Sequence, residues 1–203
     1  MQDELLIRRA QRGDADAFEQ LLLEHQKNVY NLCYRMAGNP DDAMDLSQET
    51  FLRAWRCLDQ YQFASAFSTW LYRLCSNICI DFLRRRRRQQ TVPLTFEDAD
   101  GEEQTYAVPD PAPLPEEQVE LKLTRETLAA AMAQLLPEHR AVLQLRVVNE
   151  MSYEQIADVL DIQIGTVKSR LSRARNQLKK ILERGNLSRR ASSESMEGEV
   201  AAK

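Results

Sequence analysis

Residues 152–175 read Ser-Tyr-Glu-Gln-Ile-Ala-Asp-Val-Leu-Asp-Ile-Gln-Ile-Gly-Thr-Val-Lys-Ser-Arg-Leu-Ser-Arg-Ala-Arg, and few folds accommodate such a run. Ser152 followed by Gln155 forms a capping box, which opens a helix by satisfying two orphan backbone donors. Ile156, Val159 and Leu160 give that helix one apolar side. Ala157 is small and lets a second helix cross closely. A short turn is expected around Asp161 and Ile162. Many such turns carry Gly where Asp161 stands, and Asp tolerates the left-handed conformation better than most residues. Gly165 and Thr166 then start a second helix, with Val167, Leu171 and Ala174 facing inward. Two short helices with this turn, between about Ser152 and Lys180, make a helix-turn-helix.

The second helix leaves Lys168, Ser169, Arg170, Ser172, Arg173 and Arg175 outside the core. A recognition helix needs that division, because its N-terminal part enters the major groove. Arg reads guanine through two parallel hydrogen bonds, and other cations neutralise phosphates. A solvated basic face on an ordinary helical hairpin is the alternative. The capping box, small crossing residue, tight turn and cationic second helix together favour binding of double-stranded DNA.

Overall charge does not oppose this. The net charge is −4, but the charges are segregated. Residues 91–120 hold nine Asp/Glu and no Lys/Arg, whereas residues 163–190 hold nine Lys/Arg and one Glu. Separate segments with opposite charge suit separate partners. The N-terminus lacks a secretory pattern, and no apolar run reaches the roughly 18 residues a bilayer span needs. The expectation is a cytoplasmic chain without direct membrane insertion.

The rest of the chain reads as helices. Asp14 caps one that contains Ala17, Phe18, Leu21, Leu22, Val29, Leu32 and Cys33, and Gly38-Asn39-Pro40 stops it. Asp41 and Asp42 open a second helix, where acidic residues suit the N-terminal dipole. Its inward stripe is Ala43, Leu46, Thr50, Ala54 and Leu58. Residues 61–68 carry no sustained period and read as a loop, after which Ser68 or Thr69 caps a third helix. That helix has the stripe Leu71, Leu74, Cys75, Ile78 and Phe82 and ends in Arg84–Arg88. From Gln89 to about Pro115, five prolines and like charges indicate an acidic linker without its own core. Helix returns from about Glu116 to Leu136. Pro137 breaks or begins a helix carrying Ala141, Val142, Leu145 and Val148, and the tail after Gly185 reads as disordered.

Three segments carry a family resemblance. Asp42-Ala-Met-Asp-Leu-Ser-Gln-Glu-Thr-Phe-Leu-Arg-Ala-Trp55 closely resembles the core-binding helix of bacterial sigma factors. Phe67-Ser-Thr-Trp-Leu-Tyr-Arg-Leu-Cys-Ser-Asn77 is similar to the promoter-melting segment of the extracytoplasmic-function (group IV) members. Leu136-Pro-Glu-His-Arg-Ala-Val-Leu143 with the helix-turn-helix resembles that group's second domain. The matches follow the family's order and cover about residues 5–184.

The resemblance implies an all-α chain of two small helical domains: residues 1–90 like sigma region 2, and residues 118–184 like sigma region 4. Residues 91–117 would form the acidic linker and 185–203 a disordered tail. It implies a factor that binds core RNA polymerase and directs promoter recognition, commonly under the control of an anti-sigma partner. Asp45, Gln48, Glu49, Leu52 and Arg53 match the family's polymerase-binding surface. Gln62, Phe63, Ala64, Ser65 and Phe67 match the pocket for a flipped base of the −10 element, and Asn77 and Asp81 match positions near the melted strand. Capture of an unstacked base offsets a few kcal/mol of unstacking. Phe63 and Phe67 supply either stacking surface or core packing, and the residues leave both open. The small, uncharged Ala64-Ser65-Ala66 departs from some relatives, which leaves the preferred base open. Arg84, Arg85 and Arg88 are placed to meet −10 phosphates, although charge runs are often solvated or lipid-binding. Thr166, Lys168, Ser169, Arg170, Ser172, Arg173 and Arg175 would meet the −35 element.

Catalytic chemistry is not expected. No nucleophile is paired with an oriented base, His25 and His139 are isolated, and no cofactor or small-molecule substrate is implied. Cys33, Cys57, Cys75 and Cys79 fall within helical patterns and read as small apolar packing groups. Cys75 and Cys79 are one turn apart, yet no further His/Cys pair completes a four-ligand metal set. Two rivals therefore stand beside the sigma reading: a stand-alone helix-turn-helix regulator, and a redox or metal sensor using Cys75 and Cys79.

Overall fold

The computed structural model describes residues 2–91 and 116–200, with side chains described at 3–89 and 125–185. The acidic stretch of the linker lies outside the described residues. All regular structure among the described residues is helical. The elements are α1 (Gln2–Ala10), α2 (Ala15–Ala37), α3 (Pro40–Arg56), a 3₁₀ turn (Leu58–Gln60), α4 (Phe67–Thr91), α5 (Glu116–Ala133), α6 (Pro137–Leu143), a π-helical turn (Gln144–Val148), α7 (Tyr153–Leu160) and α8 (Ile164–Val200).

The punctuation follows the side chains. Asp14 caps α2 by accepting from the Ala17 amide at 3.0 Å. That bond and Arg9 hold the Asp14 carboxyl below the usual carboxylate range. Gly38 ends α2 with φ +91°, a left-handed turn that glycine adopts without Cβ strain. Asn39 caps α3, Pro40 occupies its first turn, where a missing N–H costs nothing, and Asp41 and Asp42 stand in that turn as expected. α4 begins at Phe67, before the expected Ser68 or Thr69, and the Ala66 carbonyl accepts its first bond from Trp70 N.

α1 is an element the apolar period did not reveal. Acidic residues in its first turn, basic ones in its last and the 2.8 Å Glu4–Arg8 pair favour it. It buries Leu6, Ile7 and Ala10 against α2.

α2, α3 and α4 form the N-terminal core. The expected α3 stripe of Ala43, Leu46, Thr50 and Ala54 is buried, together with Ser47. α4 is buried more widely than one stripe allows, at Leu71, Cys75, Ser76, Ile78, Cys79 and Ile80, while Leu74 and Phe82 are half-buried. The cause is a second packing partner: α4 contacts α2 and α3, and also α6 and α7. The two halves thus share one continuous apolar cluster from Leu6 to Ala174.

Polar contacts cross the same boundary. Arg140 of α6 is 4% exposed, and its guanidinium donates to the Met132 carbonyl at 2.8 Å and to the Met36 carbonyl near the end of α2. Arg84 of α4 pairs with Glu138 of α6 at 2.5 Å.

In the C-terminal half, Pro137 begins α6. The chain then widens into the π-helical turn, which leaves Val147 63% exposed and Val148 39% exposed instead of burying Val148 as the period suggests. α8 passes through Gly185 to Val200, where a tail without helix was expected. An isolated helical glycine costs only about 1 kcal/mol, and no proline interrupts this segment.

Candidate nucleic-acid interface

Ser152 Oγ accepts from the Gln155 amide at 3.2 Å, and Gln155 Oε1 accepts from the Ser152 amide at 2.8 Å. The capping box is therefore complete and starts α7. Ile156, Ala157, Val159 and Leu160 are buried, and Asp161 ends the helix at φ 52°, ψ 52°. Its amide returns to the Ala157 carbonyl. An L side chain in this region carries strain, so Asp161→Gly should raise stability by about 1 kcal/mol. A shift of the urea midpoint with unchanged m-value measures it. A destabilised variant would show that the aspartate is needed in the turn.

The Gln163 carbonyl accepts from both Thr166 N and Val167 N, so α8 starts at Ile164, one residue before the expected Gly165. Val167, Leu171 and Ala174 turn inward and are buried. Lys168, Ser169, Ser172, Arg173 and Arg175 are exposed on the opposite face; Thr166 and Arg170 are half-buried. Arg170 acts electrostatically on Glu138, and Lys168 on Glu154. Burial pushes the Glu138 carboxyl up, but its own backbone amide, Arg84 and Arg170 outweigh this and hold it below the usual range.

A second surface surrounds the loop before α4. Tyr61 is its hub, with ring centroids 4.9 Å from Phe63, 5.7 Å from Phe67 and 5.3 Å from Trp70. The Tyr61 hydroxyl donates to the Ser65 carbonyl at 2.6 Å. Gln11 pins the loop by donating to the Leu58 and Tyr61 carbonyls, both at 2.9 Å. Burial, then Asp3 and Glu4, raise the Tyr61 phenol above its ordinary range.

Gln62 and Ala64 are exposed and Ser65 is half-buried. Phe63 is half-buried at φ 60°, with the Arg8 guanidinium 4.7 Å over its ring. Phe67 is only 5% exposed and packs on His25 and Trp70. Of the two choices left open for Phe67, core packing is the one observed, and it offers no open stacking face in this conformation. Sequence reasoning missed Arg8, Gln11, Tyr61 and Trp70. The aromatic density of residues 61–72 signals Tyr61 and Trp70; nothing local signals Arg8 or Gln11, which arrive on α1.

Along α4, Asn77, Asp81 and Arg84–Arg88 are exposed. Several of the arginines are engaged within the chain: Arg84 with Glu138 and Asp81, Arg85 with the Asp81 carbonyl, and Arg86 with Asp42 at 2.9 Å.

On α3, Asp45, Gln48, Glu49, Leu52 and Arg53 are all exposed and line one groove of about 390 Å³ together with Arg56. Gln48 and Leu52 also border a larger apolar groove of about 840 Å³ between α2 and α3, where Met44, Phe51 and Trp55 stand. Met44 is 50% exposed, Leu52 57% and Trp55 38%. Large apolar side chains clustered in the open mark an interaction site more often than a solvated face.

A helical unit with an exposed polar groove is followed by a unit with an exposed cationic helix, and the sequence matches place both in the sigma-70 class. Residues 21–89 match the Sigma-70 region 2 family, and residues 125–178 match Sigma-70, region 4. The chain is 33% identical over 176 residues to the ECF RNA polymerase sigma factor SigW of Bacillus subtilis (strain 168), covering 87% of this chain and 94% of that protein. It is 38% identical over 187 residues to the RNA polymerase sigma-H factor of Pseudomonas aeruginosa, covering 90% and 94%. Among solved structures, CnrH in complex with the cytosolic domain of CnrY is similar at a TM-score of 0.63 and 26% identity, covering 90% of this chain and 98% of that one. The sigma factor RpoE in complex with the anti-sigma factor NepR from Bartonella quintana is similar at 0.57 and 27%, covering 82% and 96%.

The chain belongs to the extracytoplasmic-function (ECF) RNA polymerase sigma factors. The stand-alone regulator is overturned, because the matches span both helical units and not the helix-turn-helix alone. No described helix is long and apolar enough to cross a membrane.

Proposed function

We propose that residues 1–90 dock on core RNA polymerase and open the −10 element, while residues 118–184 read the −35 element across the linker of residues 91–117. The observation that carries this is the convergence of Asp45, Gln48, Glu49, Leu52 and Arg53 on one exposed groove, at the opposite end of the chain from an exposed cationic recognition helix. The protein itself performs no catalysis; polymerase makes the phosphodiester bonds and this chain selects where they begin. It acts in the cytoplasm, where the polymerase is.

Gln62, Ala64 and Ser65 form the rim of the base pocket, Phe63 its stacking wall and Phe67 the support beneath. A stacked base gains roughly 1–3 kcal/mol on such a ring. Asn77 and Asp81 follow the melted strand, and Arg84, Arg85 and Arg88 its phosphates. Thr166, Lys168, Ser169, Arg170, Ser172, Arg173 and Arg175 face the −35 duplex. An anti-sigma factor controls this chain, as the complexed state of the similar structures suggests for their own proteins.

Run-off transcription with core polymerase and a randomised promoter library tests the whole reading. Specific initiation with paired upstream and downstream motifs is expected; no stimulation over core polymerase alone would overturn it. Gln48→Ala with Glu49→Ala should lower holoenzyme formation while leaving binding of a −35 duplex unchanged, measured by fluorescence anisotropy on each. Arg173→Ala should weaken −35 binding by about 1–3 kcal/mol with relaxed specificity at one base pair if it reads a base. An equal loss on all sequences would make it a phosphate contact.

A further inference from the structure

Three cysteines from two helices meet in the core of the N-terminal unit. Cys33 stands on α2, and Cys75 and Cys79 stand one turn apart on α4. Cys33 Sγ lies 3.4 Å from Cys75 Sγ and 3.9 Å from Cys79 Sγ, and all three sulfurs fall within 4.8 Å of one another. All three residues are 0% exposed and their thiols are unbridged. The spacing of Cys75 and Cys79 alone suggested an incomplete ligand set; the fold adds the third sulfur from 42 positions away.

The separations suit a three-thiolate centre. With sulfur bonds of about 2.3 Å, a planar centre places its sulfurs about 4.0 Å apart, and a pyramidal one closer. Thr50, whose hydroxyl contacts Cys33, already donates to the Leu46 carbonyl at 2.7 Å. Among the described residues no His, Asp, Glu or further Cys joins the three sulfurs, and such a set suits soft, low-coordinate elements. Hydrogen bonds from Cys75 and then Cys79 act on the Cys33 thiol and lower it, against the opposing effect of burial. The same contacts, with burial, raise Cys75.

Charge selects among soft elements. The principal groups acting on the three thiols are one another, Thr50 and Glu49, and none is a cation. A monovalent ion on three thiolates leaves net −2 in the core and a divalent ion leaves −1, each costly without a partner. A trivalent centre leaves zero.

We propose that Cys33, Cys75 and Cys79 form a binding site for a neutral trivalent thiophile, with arsenous acid as its probe. Three S–As bonds form and three As–OH bonds break. Each thiol hydrogen leaves with a hydroxide as water, so three waters are released. Arsenic stays trivalent and no electrons are transferred. The product ties α2 to α4 beneath α3. Because the sulfurs are buried, uptake follows a local opening of α2 from α4 and is slow.

The test incubates the reduced full-length protein anaerobically with sodium arsenite at neutral pH, followed by native mass spectrometry and thermal unfolding. One arsenic per chain is expected, with a mass gain of one arsenic less three hydrogens and a raised Tm. Cys57→Ala should bind equally; Cys33→Ala, Cys75→Ala and Cys79→Ala, each checked for helicity by circular dichroism, should not form the three-thiol adduct. The hydrogen count on the unsubstituted protein decides the matter even where a variant fails to fold. Absence of arsenic, an adduct short of three hydrogens, retention of the full adduct by Cys33→Ala, or displacement of arsenic by stoichiometric zinc would each overturn the proposal. Loss of two hydrogens without arsenic would assign the cluster to a disulfide instead.

Discussion

Leu171→Ala is expected to cost about 2–5 kcal/mol, the range for emptying a well-packed leucine site. Leu171 is 2% exposed and lies between Val167 and Ala174 on the face of α8 that packs on α6 and α7. Its removal opens a cavity under the exposed cationic face of α8, so on the proposed function −35 duplex binding should fall with stability although no exposed side chain has changed. Both tryptophans, Trp55 and Trp70, lie in the N-terminal unit. Tryptophan fluorescence therefore reports that half, while circular dichroism reports all helices. If the apolar cluster acts cooperatively, both urea transitions move together. If only the circular dichroism transition moves, the halves unfold separately. The exposed neighbour Ser172→Ala should leave stability within about 0.5 kcal/mol.

Arg140→Ala should cost about 3 kcal/mol and separate the two halves. Charge-assisted hydrogen bonds contribute about 1.5–3 kcal/mol each, and truncation removes the guanidinium from the Met36 carbonyl and from the Met132 carbonyl, which keeps only the Leu135 amide. Met36 lies in the last turn of α2, where carbonyls lack intrahelical partners and a cation is favourably placed. Burial opposes the charge and, with Arg86 nearby, lowers the guanidinium pKa, so the net effect is smaller than the sum of its bonds. Arg140→Lys should rescue poorly, because one ammonium cannot reproduce a planar fork aimed at two carbonyls. Small-angle scattering should show a larger radius for Arg140→Ala, and proteolysis should cleave the linker faster. An unchanged radius and Tm would remove Arg140 as the strut between the halves.

Local signals were readable from the chain itself. Asp14, Gly38, Pro137 and the Ser152–Gln155 box act within four residues of their own position, so their chemistry is visible without a fold. The exposed face of α8 was equally legible, because Val167, Leu171 and Ala174 leave only one side for the cations. What depended on distant partners was not. α4 looked like a helix with one stripe, yet it is packed on two sides because α6 and α7 return to it. The period also missed the π-helical turn, which moves Val148 off the buried face. Cys33 was assigned to packing because its partners lie more than forty residues away. In the candidate site, the α3 groove followed from family resemblance, while the loop support from Arg8 and Gln11 required α1 to be seen in place.

The arginine run of α4 has a consequence for ionic strength. DNA affinity falls with salt in proportion to the counterions a protein releases from the phosphates. Arg84 and Arg86 already hold carboxylates within the chain. A phosphate that recruits Arg84 must first displace Glu138, so part of the electrostatic gain is an exchange of one anion for another. The salt slope of promoter binding should therefore be shallower than five consecutive arginines suggest. It should steepen in Glu138→Gln, where the nearer of the two anions on Arg84 is gone.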